Sequence, residues 1–227
     1  MKLISLHLPK TAGSSFRTTL EDVFAERLLC DYGDRSISKP PLLRHQEVLA
    51  SALSVSEHGA GEYDCVHGHF LPVKYLPLAD REPCYFITWM RHPVERLISH
   101  YHFWQQSYHP QSAPPHHRRV VEEGWSLEQF CLSEQFRNLY TQYLWGFPLE
   151  NFSFVGITEH YSKDLDYFAE HVLKQPLNKH RVNVTAGSSA RQRLPPDTQR
   201  SVERFHAADM QLYERALQMR SRRNNFS

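Results

Sequence analysis

The stretch from Leu3 to Leu20, LISLHLPKTAGSSFRTTL, decides the fold of this chain. An apolar run stops at Pro9, a short polar loop follows, and apolar residues then recur at helical spacing from Phe16 onward. The pattern predicts a β-strand, a tight loop and an α-helix. Amides at the start of a helix have no partner within it and carry the positive end of the helix dipole. A loop holding Lys10 at that point is therefore a candidate site for a phosphate or sulfate group.

The loop combines a lysine with hydroxyl groups and small residues. Its candidate anion-binding residues are Lys10, Thr11, Ala12, Gly13, Ser14 and Ser15. A plain strand-to-helix connection with a solvated lysine is the alternative. The position after the first strand favours the anion site, because ligands of open α/β sheets bind at the carboxyl ends of the strands. The loop is not a Walker A loop, since its lysine precedes its glycine.

A second strand–loop–helix unit starts at the run PCYFITWM, residues 83–90. Such a continuous apolar run is typical of a buried parallel strand, and Pro93 suits the first turn of a following helix. Residues 63–67 and 152–157 are further strand candidates, and Pro195 and Pro196 open a terminal helix. Alternating strands and helices predict an α/β fold with a mostly parallel central sheet flanked by helices. The length of 227 residues suits a single domain spanning residues 1–227.

Composition and charge argue against several classes of function. The net charge of +1 lacks the excess expected of a nucleic-acid-binding chain. The four cysteines form no Cys-x-x-Cys pair, so a zinc knuckle is not expected. No run is long enough to cross a membrane and no signal-peptide pattern is present, which predicts a cytoplasmic chain or one trimmed of a targeting segment. Nothing in the sequence indicates the oligomeric state.

Arg91 follows the most apolar strand, and Ser99 lies eight residues later, about two helical turns on. A guanidinium at the end of a buried strand needs an anionic partner, and arginine is well suited to phosphate. A salt bridge to a nearby carboxylate such as Glu95 is the alternative. Parallel connectivity would bring Arg91 and Lys10 to one edge of the sheet. Two anion sites at one edge suit a nucleotide with separated phosphates.

Two stretches resemble the nucleotide loops of sulfotransferases that use 3′-phosphoadenosine 5′-phosphosulfate (PAPS): LHLPKTAGSSF, residues 6–16, and FITWMRHPVERLISHYHF, residues 86–103. The chain is most similar to the carbohydrate branch that includes the heparan and uronyl 2-O-sulfotransferases. The HGH motif at 67–69, FVGITE at 154–159 and the terminal helix agree with that branch in matching order. The resemblance implies a P-loop-like sulfotransferase fold and an O-sulfotransferase that transfers a sulfuryl group from PAPS to a carbohydrate hydroxyl.

The resemblance also implies the roles of the candidate donor-binding residues. Lys10 would contact the bridging oxygen of the phosphosulfate, and residues 11–15 would bind the 5′-phosphate. Arg91 and Ser99 would bind the 3′-phosphate. Arg191, in the basic stretch 181–193, would close over the donor. No metal ion is implied.

The histidines of the HGH motif supply the general base in this resemblance, which places the base on His69 and gives His67 a supporting or substrate contact. Histidine, with a pKa near 6.5, suits this task at neutral pH. From the residues alone other interpretations stay open. The pair could be ordinary core or surface histidines, or it could bind zinc, because two histidines two apart on a strand point the same way. A third ligand is available among His100, His102, His116 and His117.

One departure and two competing functions accompany this hypothesis. His92 stands where the family often has aspartate, so the geometry of the second loop is open. A kinase-like phosphotransferase and a non-catalytic nucleotide- or glycan-binding relative are the alternative functions. Five aromatic residues are candidates for a sugar cleft or for the core: Trp104, Trp125, Tyr140, Tyr143 and Trp145.

Overall fold

A computed structural model describes residues 1–34, 39–178, 180 and 193–225. Within these ranges the chain forms one five-stranded, all-parallel sheet with strand order β2-β3-β1-β4-β5. The strands are β1 (Lys2–Leu6), β2 (Leu28–Asp31), β3 (Cys65–Gly68), β4 (Cys84–Met90) and β5 (Phe154–Ile157). Helices flank the sheet, so the predicted α/β class is confirmed.

Four of the strands coincide with the apolar runs that predict them, whereas β2 has no counterpart in the sequence analysis. This strand is four residues long and lies at the edge of the sheet, where it pairs only with β3. Its side chains are half-buried or exposed. A short strand of this kind lacks the continuous apolar run of a central strand, because neither of its faces is fully covered.

Nine α-helices lie in the described part of the chain. They are α1 (Gly13–Phe24), α2 (Pro41–His58), α3 (Pro93–Gln106), α4 (Pro115–Glu122), α5 (Leu127–Cys131), α6 (Leu139–Tyr143), α7 (Tyr161–Tyr167), α8 (Pro196–Phe205) and α9 (Ala207–Asn225). A 3₁₀ helix spans Pro72–Asp80, and a π-helix over Phe168–Leu173 continues α7. None of the described helices has the length and apolar character needed to cross a membrane.

The predicted single terminal helix is two helices, α8 and α9, interrupted at His206. The His206 ring is fully buried, with Nε2 2.7 Å from the Cys131 carbonyl oxygen and Nδ1 3.2 Å from the Asn138 amide nitrogen. These tertiary hydrogen bonds hold the break in place. They could not be read from the helical periodicity of the segment, because their partners are remote in sequence.

The two faces of the sheet pack against different helices, as the alternation along β1 shows. Leu3 joins one cluster with residues of α1 and α7, including Phe16 and Leu165. Ile4 joins the other cluster with residues of α6 and α9, including Tyr140. Successive side chains of a strand point to opposite faces, so β1 is covered on both sides. A buried central strand of this kind fixes the position of the loop that follows it.

The connections after β1 and β4 leave these neighbouring strands in opposite directions. β1 leads through α1 toward β2 at one edge of the sheet, and β4 leads through α3 toward β5 at the other edge. A crevice opens at the carboxyl ends of strands whose connections diverge in this way, and it is the usual ligand site of open α/β sheets. The loop with Lys10 and the turn with Arg91 both lie at this point.

Candidate active site

The loop after β1 makes a sharp turn into α1. Lys10 and Ala12 have left-handed backbone conformations, with φ of 68° and 66°. Such conformations are unfavourable for residues with a side chain and are found where the surrounding structure requires them. The buried Thr11 hydroxyl donates to the Leu8 carbonyl oxygen at 2.8 Å and so holds the loop from inside. The first helical hydrogen bond joins Phe16 N to Ala12 O at 3.1 Å, so the amides of residues 13–15 precede it, at the positive end of the helix.

Gly13 allows a histidine ring to lie directly against the start of α1. A Cβ atom at Gly13 would stand 1.8 Å from Nε2 of His7, which is far inside van der Waals contact. From the sequence, Gly13 is a candidate anion-binding residue. The structure shows that its missing side chain also makes room for His7.

We expect Gly13→Ala to destabilise the protein by about 2 kcal/mol, because the His7 ring or the helix start must shift to accept the methyl group. Chemical denaturation measures the change. Gly33→Ala is the matched control, since its Cβ would meet nothing closer than Asp31 Oδ1 at 3.4 Å. Equal stability of Gly13→Ala and the wild type would contradict the close contact with His7.

The Lys10 side chain extends toward α3, the helix that follows β4. Its Nζ atom lies 3.9 Å from the centroid of the Phe103 ring, and Phe103 is 45% exposed. An ammonium over an aromatic face is held by the ring quadrupole while keeping its charge. The Lys10 ammonium therefore lies beside α3, which belongs to the second strand–loop–helix unit.

Arg91 lies at the turn between β4 and α3, with its side chain 20% exposed. Its Nη2 atom is 3.8 Å from Glu95 Oε2, so the salt bridge considered as the alternative is present. This pair is long and its carboxylate is mostly solvated, which makes it weak. Ser99 is buried about two turns along α3.

His92, the departure from the family pattern, contributes a main-chain hydrogen bond to the Arg91 turn. Its amide donates to Glu159 Oε1 at 2.8 Å, and its ring meets the Tyr213 ring edge-on with centroids 5.5 Å apart. Glu159 belongs to the FVGITE stretch. The second loop is therefore tied to the segment after β5 through the backbone of residue 92, whichever side chain stands there.

Arg96, also on α3, is a buried cation that the sequence analysis does not identify as part of the site. It is fully buried, and none of its three guanidinium nitrogens has a hydrogen-bond partner among the described residues. Its guanidinium carbon lies 5.5 Å from the centroid of the Tyr140 ring. Burial raises the pKa of the Asp209 carboxyl, and Arg96 acts on that pKa in the opposite direction. Asp209 is thus a buried partner charge for Arg96.

His67, within β3, is 1% exposed. Its Nδ1 atom is hydrogen-bonded to Ser5 Oγ at 2.9 Å, and its Nε2 atom is buried. Burial, with a smaller contribution from the neighbouring His69, lowers the pKa of His67 to about 3. A neutral ring in this position is a support beneath the site rather than a group that a substrate could touch.

His69 follows the end of β3 and is more accessible than His67. Its Nδ1 atom lies 2.5 Å from the main-chain oxygen of His7. A carbonyl oxygen only accepts hydrogen bonds, so Nδ1 carries the proton and Nε2 holds the lone pair. Burial lowers the pKa of His69 below 6.5, while the bond to His7 and the Asp34 carboxylate act in the opposite direction. The ring is therefore neutral at neutral pH, with Nε2 able to accept a proton.

His7 is the residue of this cluster that sequence reasoning missed. Its ring centroid is 5.2 Å from that of His67 and 4.5 Å from that of His69, and its Nδ1 atom is 3.0 Å from Tyr32 Oη. Burial and the two other histidines lower its pKa well below 6.5. A signal was present in the strand pairing, because Ser5 is opposite His67 in the parallel register and His7 comes two residues later.

Two of the histidines considered as further zinc ligands make contacts with Trp104. The His100 ring packs edge-on against Trp104 with centroids 4.8 Å apart, and His117 Nε2 is 2.7 Å from the Trp104 carbonyl oxygen. In the ranges that the structure describes, no three His, Cys, Asp or Glu side chains form a group able to hold a metal ion.

The remaining candidates fall outside the site or outside the described residues. Arg191 is outside the described residues, as is most of the stretch 181–193. Trp104, Tyr140 and Tyr143 are buried in the core clusters and do not line a cleft. Trp145 stacks on His45 with ring centroids 3.7 Å apart.

Comparison with known proteins finds similarity among solved structures. A sulfotransferase from Alicyclobacillus acidocaldarius is 13% identical, with a TM-score of 0.43 over 92% of each chain. The mouse sulfotransferase SULT7A1, solved in complex with PAP, is 11% identical, with a TM-score of 0.38 over 92% of this chain and 64% of the mouse protein. No protein-family model and no curated protein sequence matches the chain.

Proposed function

We propose that this chain is a sulfotransferase that transfers a sulfuryl group from PAPS to a hydroxyl group of a carbohydrate. The observation that carries the proposal is the placement of two cationic loops and His69 at one edge of the sheet. Strand β1 pairs with β4 on one side and with β3 on the other. The Lys10 loop, the Arg91 turn and His69 accordingly leave three adjacent strands at the same edge of the sheet.

The chain's own groups fit a donor with two separated anionic ends. On the first side, the amides of residues 13–15 and the Lys10 ammonium offer donors and positive charge at a helix start. On the second side, Arg91 offers a planar guanidinium and Ser99 a hydroxyl. These groups are better suited to bind a phosphosulfate and a 3′-phosphate than to bind a neutral ligand.

PAPS, when bound, supplies the sulfuryl group, and its nucleotide leaves with the negative charge of the broken sulfur–oxygen bond. Lys10 would stabilise that charge, since a fixed cation acts strongly where water is excluded. His69 would take up through Nε2 the proton that the acceptor hydroxyl releases as its oxygen bonds to sulfur. His7 would position His69 through its carbonyl oxygen and its ring, and the His67 ring stacks on the His7 ring.

The carbohydrate acceptor is the part of the proposal that depends on sequence resemblance alone. It is supported by the HGH and FVGITE motifs together with the two nucleotide loops, in the order of the 2-O-sulfotransferase branch. We keep it as the most specific form of the proposal. The catalytic roles of Lys10, His69 and the supporting His67 do not depend on which hydroxyl is the acceptor.

The expected result of a donor assay is sulfate transfer from PAPS to at least one member of a panel of glycans and small alcohols, detected by mass spectrometry of the sulfated product. The same protein should be stabilised against heat by 3′-phosphoadenosine 5′-phosphate (PAP), because a ligand of the folded state raises the melting temperature.

The two competing functions give different results in these measurements. A kinase-like phosphotransferase would be stabilised by ATP with Mg²⁺ and not by PAP, which would contradict our proposal. A non-catalytic relative would bind PAP and transfer no sulfate to any acceptor, even with wild-type Lys10, His69 and Arg91 present.

A further inference from the structure

One phenol holds both polar main-chain groups of Arg91. The Arg91 amide donates to Tyr140 Oη at 3.1 Å, and the Tyr140 hydroxyl donates to the Arg91 carbonyl oxygen at 2.6 Å. Tyr140 is fully buried, and burial raises the pKa of its hydroxyl well above the usual value of a phenol. The hydroxyl therefore stays protonated and can both donate and accept.

Tyr140 is itself fixed by the last described helix. Helix α6 begins after Asn138, whose side chain does not cap it. Asp209, on α9, takes over this task, since its carboxylate accepts from Tyr140 N at 3.0 Å, from Thr141 N at 3.1 Å and from Thr141 Oγ1 at 3.2 Å. The Arg96 guanidinium lies over the ring of Tyr140. Tyr140 is thus held at its backbone amide by Asp209 and at one face of its ring by Arg96.

These contacts fix the position of the Arg91 backbone, from which the side chain extends. The turn between β4 and α3 has its amides at residues 91 and 92 bound to Tyr140 and Glu159, respectively. A guanidinium that extends from a fixed peptide has less freedom to lose when it binds an anion. A loosened turn would make the same contact at a greater entropic cost.

We propose that Tyr140 is a positioning residue for the anion site of Arg91, and that it acts on the 3′-phosphate of the nucleotide without touching it. The proposal rests on the proposed function, because it needs a nucleotide whose 3′-phosphate is bound by Arg91. It makes Tyr140 a determinant of the preference for nucleotides phosphorylated at the 3′ position.

The test compares two ligands that differ only in the 3′-phosphate, PAP and adenosine 5′-phosphate. Calorimetry gives the dissociation constant of each for the wild type and for Tyr140→Phe. We expect PAP to bind about tenfold more weakly to Tyr140→Phe, and adenosine 5′-phosphate to bind as it does to the wild type. Tyr101→Phe is the matched control, because Tyr101 on α3 also donates to a main-chain oxygen, that of Trp125 at 2.9 Å; it should leave both constants unchanged.

A loss of general structure would weaken both ligands together, and that result would overturn the proposal. Unchanged PAP binding in Tyr140→Phe would overturn it as well, while leaving the proposed function intact. A wild type that does not prefer PAP over adenosine 5′-phosphate would overturn the proposed function and this inference with it.

Two further variants keep the test decisive if Tyr140→Phe does not fold. Asp209→Asn retains the phenol and weakens its support, so it should show a smaller loss confined to PAP. In an Arg91→Ala background, Asp209→Asn should have no further effect on PAP, because Asp209 acts through Tyr140 on Arg91. Additive effects of the two substitutions would overturn the proposal.

Discussion

His69→Ala is expected to reduce sulfate transfer by about 10²- to 10⁴-fold, the contribution typical of a positioned general base. The reason lies in the bond from His69 Nδ1–H to the His7 carbonyl, which leaves Nε2 as the proton acceptor. PAP binding should stay within about twofold of the wild type, since the base acts on the acceptor hydroxyl and not on the nucleotide. The measurement is a steady-state transfer assay combined with calorimetry of PAP.

His58→Ala is the matched control for His69→Ala, because His58 is an exposed histidine at the end of α2. It should keep full turnover. The pH dependence offers a second check on the base: burial lowers the pKa of His69, so transfer should reach half of its maximum below pH 6.5 and level off above it. Full turnover in His69→Ala, or a half-maximum well above pH 6.5, would show that the base is another group.

Acidification is expected to unfold the protein steeply between about pH 6.5 and pH 5. Burial lowers the pKa of His67 to about 3 and of His206 to about 4, and it lowers that of His100 well below 6.5. Each ring stays neutral in the folded protein and takes up a proton below about pH 6.5 once the chain is unfolded. The contribution of these rings to the free energy of unfolding is therefore fully present above that pH and is lost as the pH falls below it. The three groups together should reduce the free energy of unfolding by about 4 kcal/mol between pH 7 and pH 5.5.

The acid effect is measured by denaturant unfolding at a series of pH values, whose slope gives the number of protons taken up. We expect about three protons from these histidines, with His7 adding to the number. His100→Phe should lower the number by about one whatever its effect on overall stability. An uptake of less than one proton would contradict the neutral burial of these rings.

The sequence predicts the elements whose causes are local and misses those whose causes are tertiary. The β1–loop–α1 unit is readable because an apolar run, a polar loop and a helical period follow each other within eighteen residues, 3–20. The run at 83–90 is readable because a strand covered on both faces must be continuously apolar. Strand β2 escapes this reasoning, since an edge strand is specified by its partner β3 and only weakly by its own side chains.

The residues of the candidate site also fall into those with local causes and those with tertiary causes. Lys10, Arg91 and His69 follow predicted strands, so parallel connectivity alone places them at one edge. His7 enters the site through the register of β1 against β3, and Tyr140 enters it through packing from a helix about 50 residues away along the chain from Arg91. Aromatic spacing cannot distinguish a ring that lines a cleft from one that is buried in the core, because both are apolar side chains on helices.

The link from Asp209 through Tyr140 to Arg91 has a consequence for the order in which the protein can mature during synthesis. The hydrogen bond that holds the Lys10 loop from inside, from Thr11 Oγ1 to the Leu8 carbonyl oxygen, joins residues that are synthesised early. The Arg91 turn obtains its support only after α9 has been made and has docked. If the chain binds a nucleotide as we propose, a nascent or C-terminally truncated chain would therefore lack the support of the Arg91 turn and would discriminate little at the 3′ position.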